Sequence, residues 1–207
     1  LGWSKTQGKN TLSSSDYKAG NRIPTKNGKY YMVIFGMSMD RAPSVITKAT
    51  KFDKVYCVGD SRTADTKMAL GVAVPSNVEF IAKWGEGLYW FKSTGYRQLL
   101  SSISKQPKNS KKAVIINLGV NDLNNGSAYV TYMKKVAANL KKYNCKMYYL
   151  SVNPVNSAMI KSVGGKARSE AQIASFNRTI YKNLCSGKNK SFTYINSCTN
   201  LQMKGWI

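Results

Sequence analysis

Apolar residues in this chain fall into short runs separated by longer stretches of helical spacing. Lys54–Val58 is a short, mostly apolar run that ends in Gly-Asp-Ser, the pattern of a buried strand entering a tight turn. Val78–Ala82 is a second such run, and Ala113–Leu118 a third, followed by Gly119-Val120-Asn121-Asp122. Lys146–Val152 is a fourth, stopping at Asn153-Pro154, and Ser191–Ile195 is a fifth. Between them, Ala128–Tyr143 sets Val130, Met133, Val136, Ala137 and Leu140 at helical intervals. Ser169–Leu184 does the same with Ile173, Phe176, Ile180 and Leu184, and Ser169 with Glu170 marks a helix start. Trp90–Ile103 is a shorter helix. Strands alternating with helices predict an α/β layer sandwich with a mainly parallel sheet, whose functional residues gather at the carboxyl ends of the strands.

The alternation begins only after Pro43. Residues 1 to about 41 are rich in Lys, Asn, Ser and Gly, with one apolar run at Tyr30–Met37. The expected division is an N-terminal extension over residues 1–50 and the α/β domain over residues 51–207. At 207 residues and 43% hydrophobic, the chain can bury one sizeable core, which excludes wholesale disorder. No run approaches the roughly 20 apolar residues of a membrane span. The first residue is Leu1, and no signal-like segment is in view, so the chain reads as processed or trimmed.

Charge narrows the partners. Lys and Arg number 32 against 9 Asp and Glu, for a net charge of +23. Nucleic acid, anionic membrane and anionic wall polymer are the usual partners of such a chain. The lysines are dispersed, as at Lys105, Lys108, Lys111, Lys112, Lys134, Lys135, Lys141, Lys142 and Lys146, and read as a solvated surface. No Arg-rich stripe or aromatic RNA-binding signature appears, which argues against nucleic acid. Histidine is absent, so imidazole serves nowhere as base, acid or ligand. Four cysteines without a Cys-x-x-Cys pair argue against a zinc site, and no cofactor motif appears. Cys57 and Cys145 lie in or beside apolar runs and read as buried thiols. A Cys185–Cys198 bridge is open only to a chain in an oxidising compartment.

Two polar clusters follow two of the strands: Val58-Gly59-Asp60-Ser61-Arg62 and Leu118-Gly119-Val120-Asn121-Asp122. A serine at a strand-to-helix turn exposes its hydroxyl, while the helix behind it aims backbone N–H groups at the reacting oxygen. Acyl transfer needs such a nucleophile, together with donors directed at a developing oxyanion. An asparagine amide at another strand end supplies one donor. A glycine supplies a second through its backbone, because no Cβ blocks close approach.

These blocks, VGDSRT (Val58–Thr63), AKWGEGLYWF (Ala82–Phe91) and NLGVNDL (Asn117–Leu123), with LSVNPV (Leu150–Val155), resemble those of the SGNH (GDSL-like) hydrolase family, bacterial branch. The resemblance spans about residues 54 to 200. It implies a three-layer α/β/α, flavodoxin-like fold and hydrolysis of esters, often acyl groups on carbohydrates or lipids. Ser61 matches the nucleophile. Its backbone N–H, the Asn121 side chain and Gly87 match the oxyanion hole, with Gly85 an alternative register. Asp60 holds the turn with Gly59, and Asp122 with Gly119 supports the Asn121 loop. Trp84 and Tyr89 are the aromatics expected at the surface, for packing or for stacking on a sugar. Arg62 meets an anionic substrate or caps its own helix; the sequence leaves both open. The family closes with Asp-x-x-His, and this sequence has no His and no acidic residue after Glu170, so the chain reads as lacking that last loop and helix. The expectation is a serine ester hydrolase without its general base, extracellular or wall-associated, acting on a carbohydrate or wall polymer. The alternative is a non-catalytic module of the same fold that holds an anionic glycan or wall polymer.

Overall fold

A computed structural model describes residues 2–4, 17–18, 31–33, 52–162 and 164–203. The chain divides into two units, Leu1–Val45 and Ile46–Ile207. In the first, β1 (Gly2–Ser4) pairs antiparallel with β2 (Tyr17–Lys18) on one side and β3 (Tyr31–Val33) on the other. The apolar run expected over Tyr30–Met37 thus contributes β3, and its remaining residues lie outside the described ones.

The second unit carries the alternation. Its elements are β4 (Lys54–Gly59), α1 (Ser61–Leu70), β5 (Val78–Ala82), α2 (Leu88–Trp90), α3 (Tyr96–Ser104), β6 (Lys112–Asn117), α4 (Gly126–Lys141) and β7 (Cys145–Leu150). After them come α5 (Ser157–Ser162), α6 (Glu170–Ile180), β8 (Thr193–Ile195) and α7 (Ser197–Met203). All five strands are parallel, in the order β5-β4-β6-β7-β8. That is the doubly wound, flavodoxin-like order, in which the chain leaves its first strand toward one edge and then returns to build the other. Right-handed crossovers place α1 on one face and α3, α4 and α6 on the opposite one, giving three layers.

The two faces are filled unequally. In register across the sheet, Tyr56 and Val58 align with Val114 and Ile116, and these with Met147 and Tyr149. All six are buried, under Leu99 and Ile103 of α3, Met133, Val136 and Leu140 of α4, and Ile173, Phe176 and Ile180 of α6. Each such side chain contributes about 1.5–3 kcal/mol on burial. Helix α1 buries only Thr63, and on its face Cys57, Ile115 and Tyr148 stay half-buried. A π-helical turn, Phe91–Gly95, joins α2 to α3, and another, Tyr181–Cys185, extends α6. Helix α6 starts with a reciprocal capping box: Ser169 Oγ accepts from the Gln172 N–H, and Gln172 Oε1 accepts from the Ser169 N–H.

Two sequence expectations need correction. Lys112 is not on the solvated surface but 1% exposed at the start of β6. Its ammonium donates to the carbonyls of Pro107 (2.8 Å), Ser110 (2.9 Å) and Tyr143 (3.1 Å). These belong to the turns that follow α3 and α4. The second correction is that Cys57 and Cys145 are half-buried rather than buried; all four cysteines are free thiols.

Replacing Lys112 with Met keeps the stem and removes the ammonium from all three carbonyls; Pro107 O and Ser110 O keep other donors, from Ser110 and Asn144, and Tyr143 O loses its strongest one. We expect a loss of about 2 kcal/mol in urea denaturation, against less than about 0.5 for Lys105→Met on the surface. Burial also pushes the thiols of Cys57 and Cys145 up to about 11 and that of Cys185 up to about 12. The folded state therefore holds these protons more tightly than the unfolded chain. The associated stability is fully present below the ordinary thiol value of 9.0 and is lost as pH rises through about 11 to about 12. Urea midpoints measured across that window should fall steadily, whereas midpoints at neutral pH should stay flat.

Candidate active site

The parallel register brings the three motif blocks to one end of the sheet. Gly59, the last residue of β4, pairs with Ala82 of β5 and Asn117 of β6. The Asp60 N–H donates to Asn117 O (3.3 Å), and the Lys83 N–H to Gly59 O (3.2 Å). Ser61, the Lys83–Leu88 loop and the Leu118–Asp122 loop therefore all leave the carboxyl edge of the sheet side by side. A side chain at Gly59 would overlap Thr63 Oγ1 and crowd Asn117 O. The turn before Ser61 accordingly requires glycine.

Ser61 opens α1 and is partly exposed. Asp60 is the N-cap and is fully buried. Its Oδ1 accepts from the Arg62 N–H (3.1 Å) and from Arg62 Nε (2.9 Å), while Oδ2 accepts from Arg62 Nη2 (2.6 Å). The Arg62 guanidinium thus forms a two-pronged pair with the carboxylate preceding the serine.

Asp122 ties the second and third blocks together. Its Oδ2 accepts from the Leu88 N–H (2.9 Å) at the start of α2, and its Oδ1 from the Tyr129 hydroxyl (2.7 Å) of α4. Gly87 lies directly against this carboxylate: a Cβ there would come within 2.5 Å of Oδ2. Gly85, at φ +72°, has open space instead. Gly119 holds φ +128°, and a side chain there would run into the Phe176 ring. Tyr149, buried, donates its hydroxyl to Leu118 O (3.0 Å) and pins the same loop from below. Burial, reinforced by the Tyr149 and Asp122 charges, pushes the Tyr129 phenol far above its ordinary range, so it remains a proton donor to Asp122.

The Asn121 amide is held at both ends. Nδ2 donates to Glu86 O (2.8 Å), and Oδ1 accepts from Arg168 Nη2 (2.8 Å). Arg168 also donates through Nε to Val120 O (2.6 Å). The sequence offers no local signal for Arg168, which lies 47 residues from Asn121 in the chain. Nor does it nominate Tyr129 or Tyr149, which look like core aromatics. Trp84 and Tyr89 are 59% and 84% exposed, whereas Trp90 and Phe91 are buried. A groove of about 610 Å³ runs along α1, lined by Ala64, Lys67, Met68, Phe80 and Trp84 among others.

This arrangement offers a hydroxyl at a helix N-terminus and two loops braced to present donors beside it, the elements of oxyanion stabilisation. A proton acceptor is what it does not offer. Asp60 is engaged by Arg62, Asp122 by two donors, and Lys83 is paired with Glu86 at 2.6 Å. No group of three His, Cys, Asp or Glu gathers to hold a metal among the described residues.

No protein-family model and no curated protein matches the chain. Solved structures similar to it are GDSL-like and related acyl-handling proteins. The C-terminal catalytic domain of peptidoglycan O-acetyltransferase A from Streptococcus pneumoniae is 18% identical at a TM-score of 0.44, over 75% of each chain. A GDSL-like lipase from Bacteroides thetaiotaomicron is also 18% identical at 0.44, over 70% of this chain and 76% of its own. Esterase EstA from Pseudoalteromonas is 15% identical at 0.38, over 69% and 77%. The fold class rests on the strand order and parallel register themselves.

The contact between Gly87 and Asp122 makes a test by double substitution. Asp122→Ala strands the Leu88 N–H and the Tyr129 hydroxyl and should cost about 2–3 kcal/mol. Gly87→Ala alone should cost about 1–2 kcal/mol by displacing the carboxylate. Together they should cost no more than Asp122→Ala alone, because the methyl then enters vacated space. Fully additive urea-denaturation values would contradict the contact.

Proposed function

We propose that this chain is an acyl-ester-acting domain of the serine-hydrolase type. Ser61 is the nucleophile, and the Ser61 N–H, the Gly87 N–H and the Asn121 amide form the oxyanion hole. The observation that carries this reading is the Asp122 carboxylate, which locks the Gly87–Leu88 loop to the loop holding Asn121. Donors fixed in this way cost no reorganisation when charge develops on the substrate oxygen. Arg168 positions Asn121 by taking its Oδ1, which leaves Nδ2 as the donor that exchanges the Glu86 carbonyl for an oxyanion. The exposed Trp84 and Tyr89 support a carbohydrate or wall-polymer ester as substrate, and with it a place outside the cell.

Without histidine, deprotonation of Ser61 falls to water. Loss of the base in a serine hydrolase costs about six powers of ten in turnover, and the oxyanion hole retains about 10³–10⁴ over water. A second reading, a non-catalytic module of the same fold, is favoured by the engagement of both site carboxylates, Asp60 and Asp122.

Chemical rescue separates the two. The intact chain is assayed on p-nitrophenyl acetate with and without added imidazole, beside Ser61→Ala and Asn121→Ala. We expect an imidazole-dependent rate at least about tenfold above that of Ser61→Ala, and a fall to the Ser61→Ala rate in Asn121→Ala. Equal rates for the intact chain and Ser61→Ala in imidazole sink the nucleophile assignment and leave the non-catalytic reading.

A further inference from the structure

Residues 123–203 contain twelve Lys and Arg and one carboxylate, Glu170. The fold gathers five of those lysines around one groove. Lys134 and Lys141 come from α4, Lys146 from the start of β7, and Lys188 and Lys190 from the turn that leads into β8. The groove measures about 610 Å³, all five lysines are exposed, and no carboxylate lines it. Its floor is apolar, formed by Ala137, Met147 and Phe192. It opens at the amino edge of β7 and β8, the end of the sheet opposite Ser61 and Asn121. Nothing in the acyl-ester reading uses it.

The rest of that edge treats its charges differently. There Lys54 pairs with Glu79 (3.4 Å) and Lys112 is buried on carbonyls. Five cations left facing one another repel, and the fold contains no counter-charge for them. They gain only when an outside anion arrives.

We propose that this groove binds a linear polymer of phosphate-linked units that carries no bases. Three features select that chemistry. The charges are all lysine, compact point charges that suit phosphate oxygens from any direction; planar arginine forks, which match carboxylates two-to-two, are absent from the lining. The one aromatic in the groove, Phe192, is 2% exposed with its ring packed on Tyr149, so no face remains for stacking a nucleobase. Finally, five exposed ammoniums around an open groove do not enclose a single small anion. Each contributes through release of counterions from a polymer, and the contributions add along its length.

The test uses the full chain and long-chain inorganic polyphosphate as probe, with affinity measured over a series of salt concentrations. Lys141, Lys146, Lys188 and Lys190 are changed together to Gln, beside a charge-matched control with Lys67, Lys92, Lys161 and Lys166 changed to Gln. All eight positions are exposed. The groove variant should lose more than about tenfold in affinity, and its dependence of log K on log salt should be shallower by about 4. The control should change by less than about threefold. Equal losses in both variants would show a general effect of charge and overturn the proposal. So would undetectable binding by the intact chain, or binding of oligo-dT or polygalacturonate as tight as that of polyphosphate at equal charge. A second measurement does not depend on any variant folding: polyphosphate should slow amide exchange in the intact chain at residues 188–193, and unchanged exchange there also overturns the proposal.

Discussion

The Asp122 carboxylate is the contact on which the top of the sheet depends. It receives one hydrogen bond from the Leu88 N–H and one from the Tyr129 hydroxyl. Three segments distant in sequence, the loop after β5, the loop after β6 and helix α4, are fixed to one another by two short bonds. The same carboxylate satisfies a helix-terminal N–H that would otherwise lack a partner. It also explains why residue 87 is glycine, since any Cβ would take the carboxylate's place. Asn121, next in the chain, inherits its position from this bracing and its orientation from Arg168.

Such a site is self-contained electrostatically. Asp60 and Arg62 answer each other, Asp122 is answered by two neutral donors, and the Arg168 charge falls on Asn121 Oδ1 and Val120 O. Stabilising a developing oxyanion and accepting a proton are separate tasks, and they ask opposite things of a group. A donor works best when it is held rigid in advance. A base must be free at the moment of reaction. Among the described residues, both carboxylates beside Ser61 and Asn121 are already engaged by donors.

Much of this was readable from the one-dimensional pattern. Val78–Ala82 is a strand over the full range expected of it, and the other four runs differ from their strands by no more than a few residues at either end. Apolar runs flanked by turn residues carry that information locally. The helices were legible for the same reason, although the π-helical turns at Phe91–Gly95 and Tyr181–Cys185 were not. Helices α5 and α7 were missed, because α5 buries no residue and α7 only Cys198, so neither shows a periodicity. Ser61 and Asn121 stood out because their blocks are contiguous. Arg168 had no such signature, as its partner lies 47 residues away. Lys112 was misread outright: a lysine beside other lysines looks solvated, and only the convergence of two helix ends shows what its ammonium is for.

Lys112 also shows how strand direction organises charge. Helices α3 and α4 end at the amino edge of the sheet, and the turns after them converge on one buried lysine, Lys112. Near β4 and β5 Lys54 meets Glu79, whereas no carboxylate lines the groove along β7 and β8. At the carboxyl edge the order is reversed. Asp60, Glu86 and Asp122 cluster there, each already engaged. A parallel sheet thus keeps a braced polar site at one end and an unanswered cationic groove at the other. The groove and Ser61 lie at opposite ends of the strands, so the length of the sheet separates them.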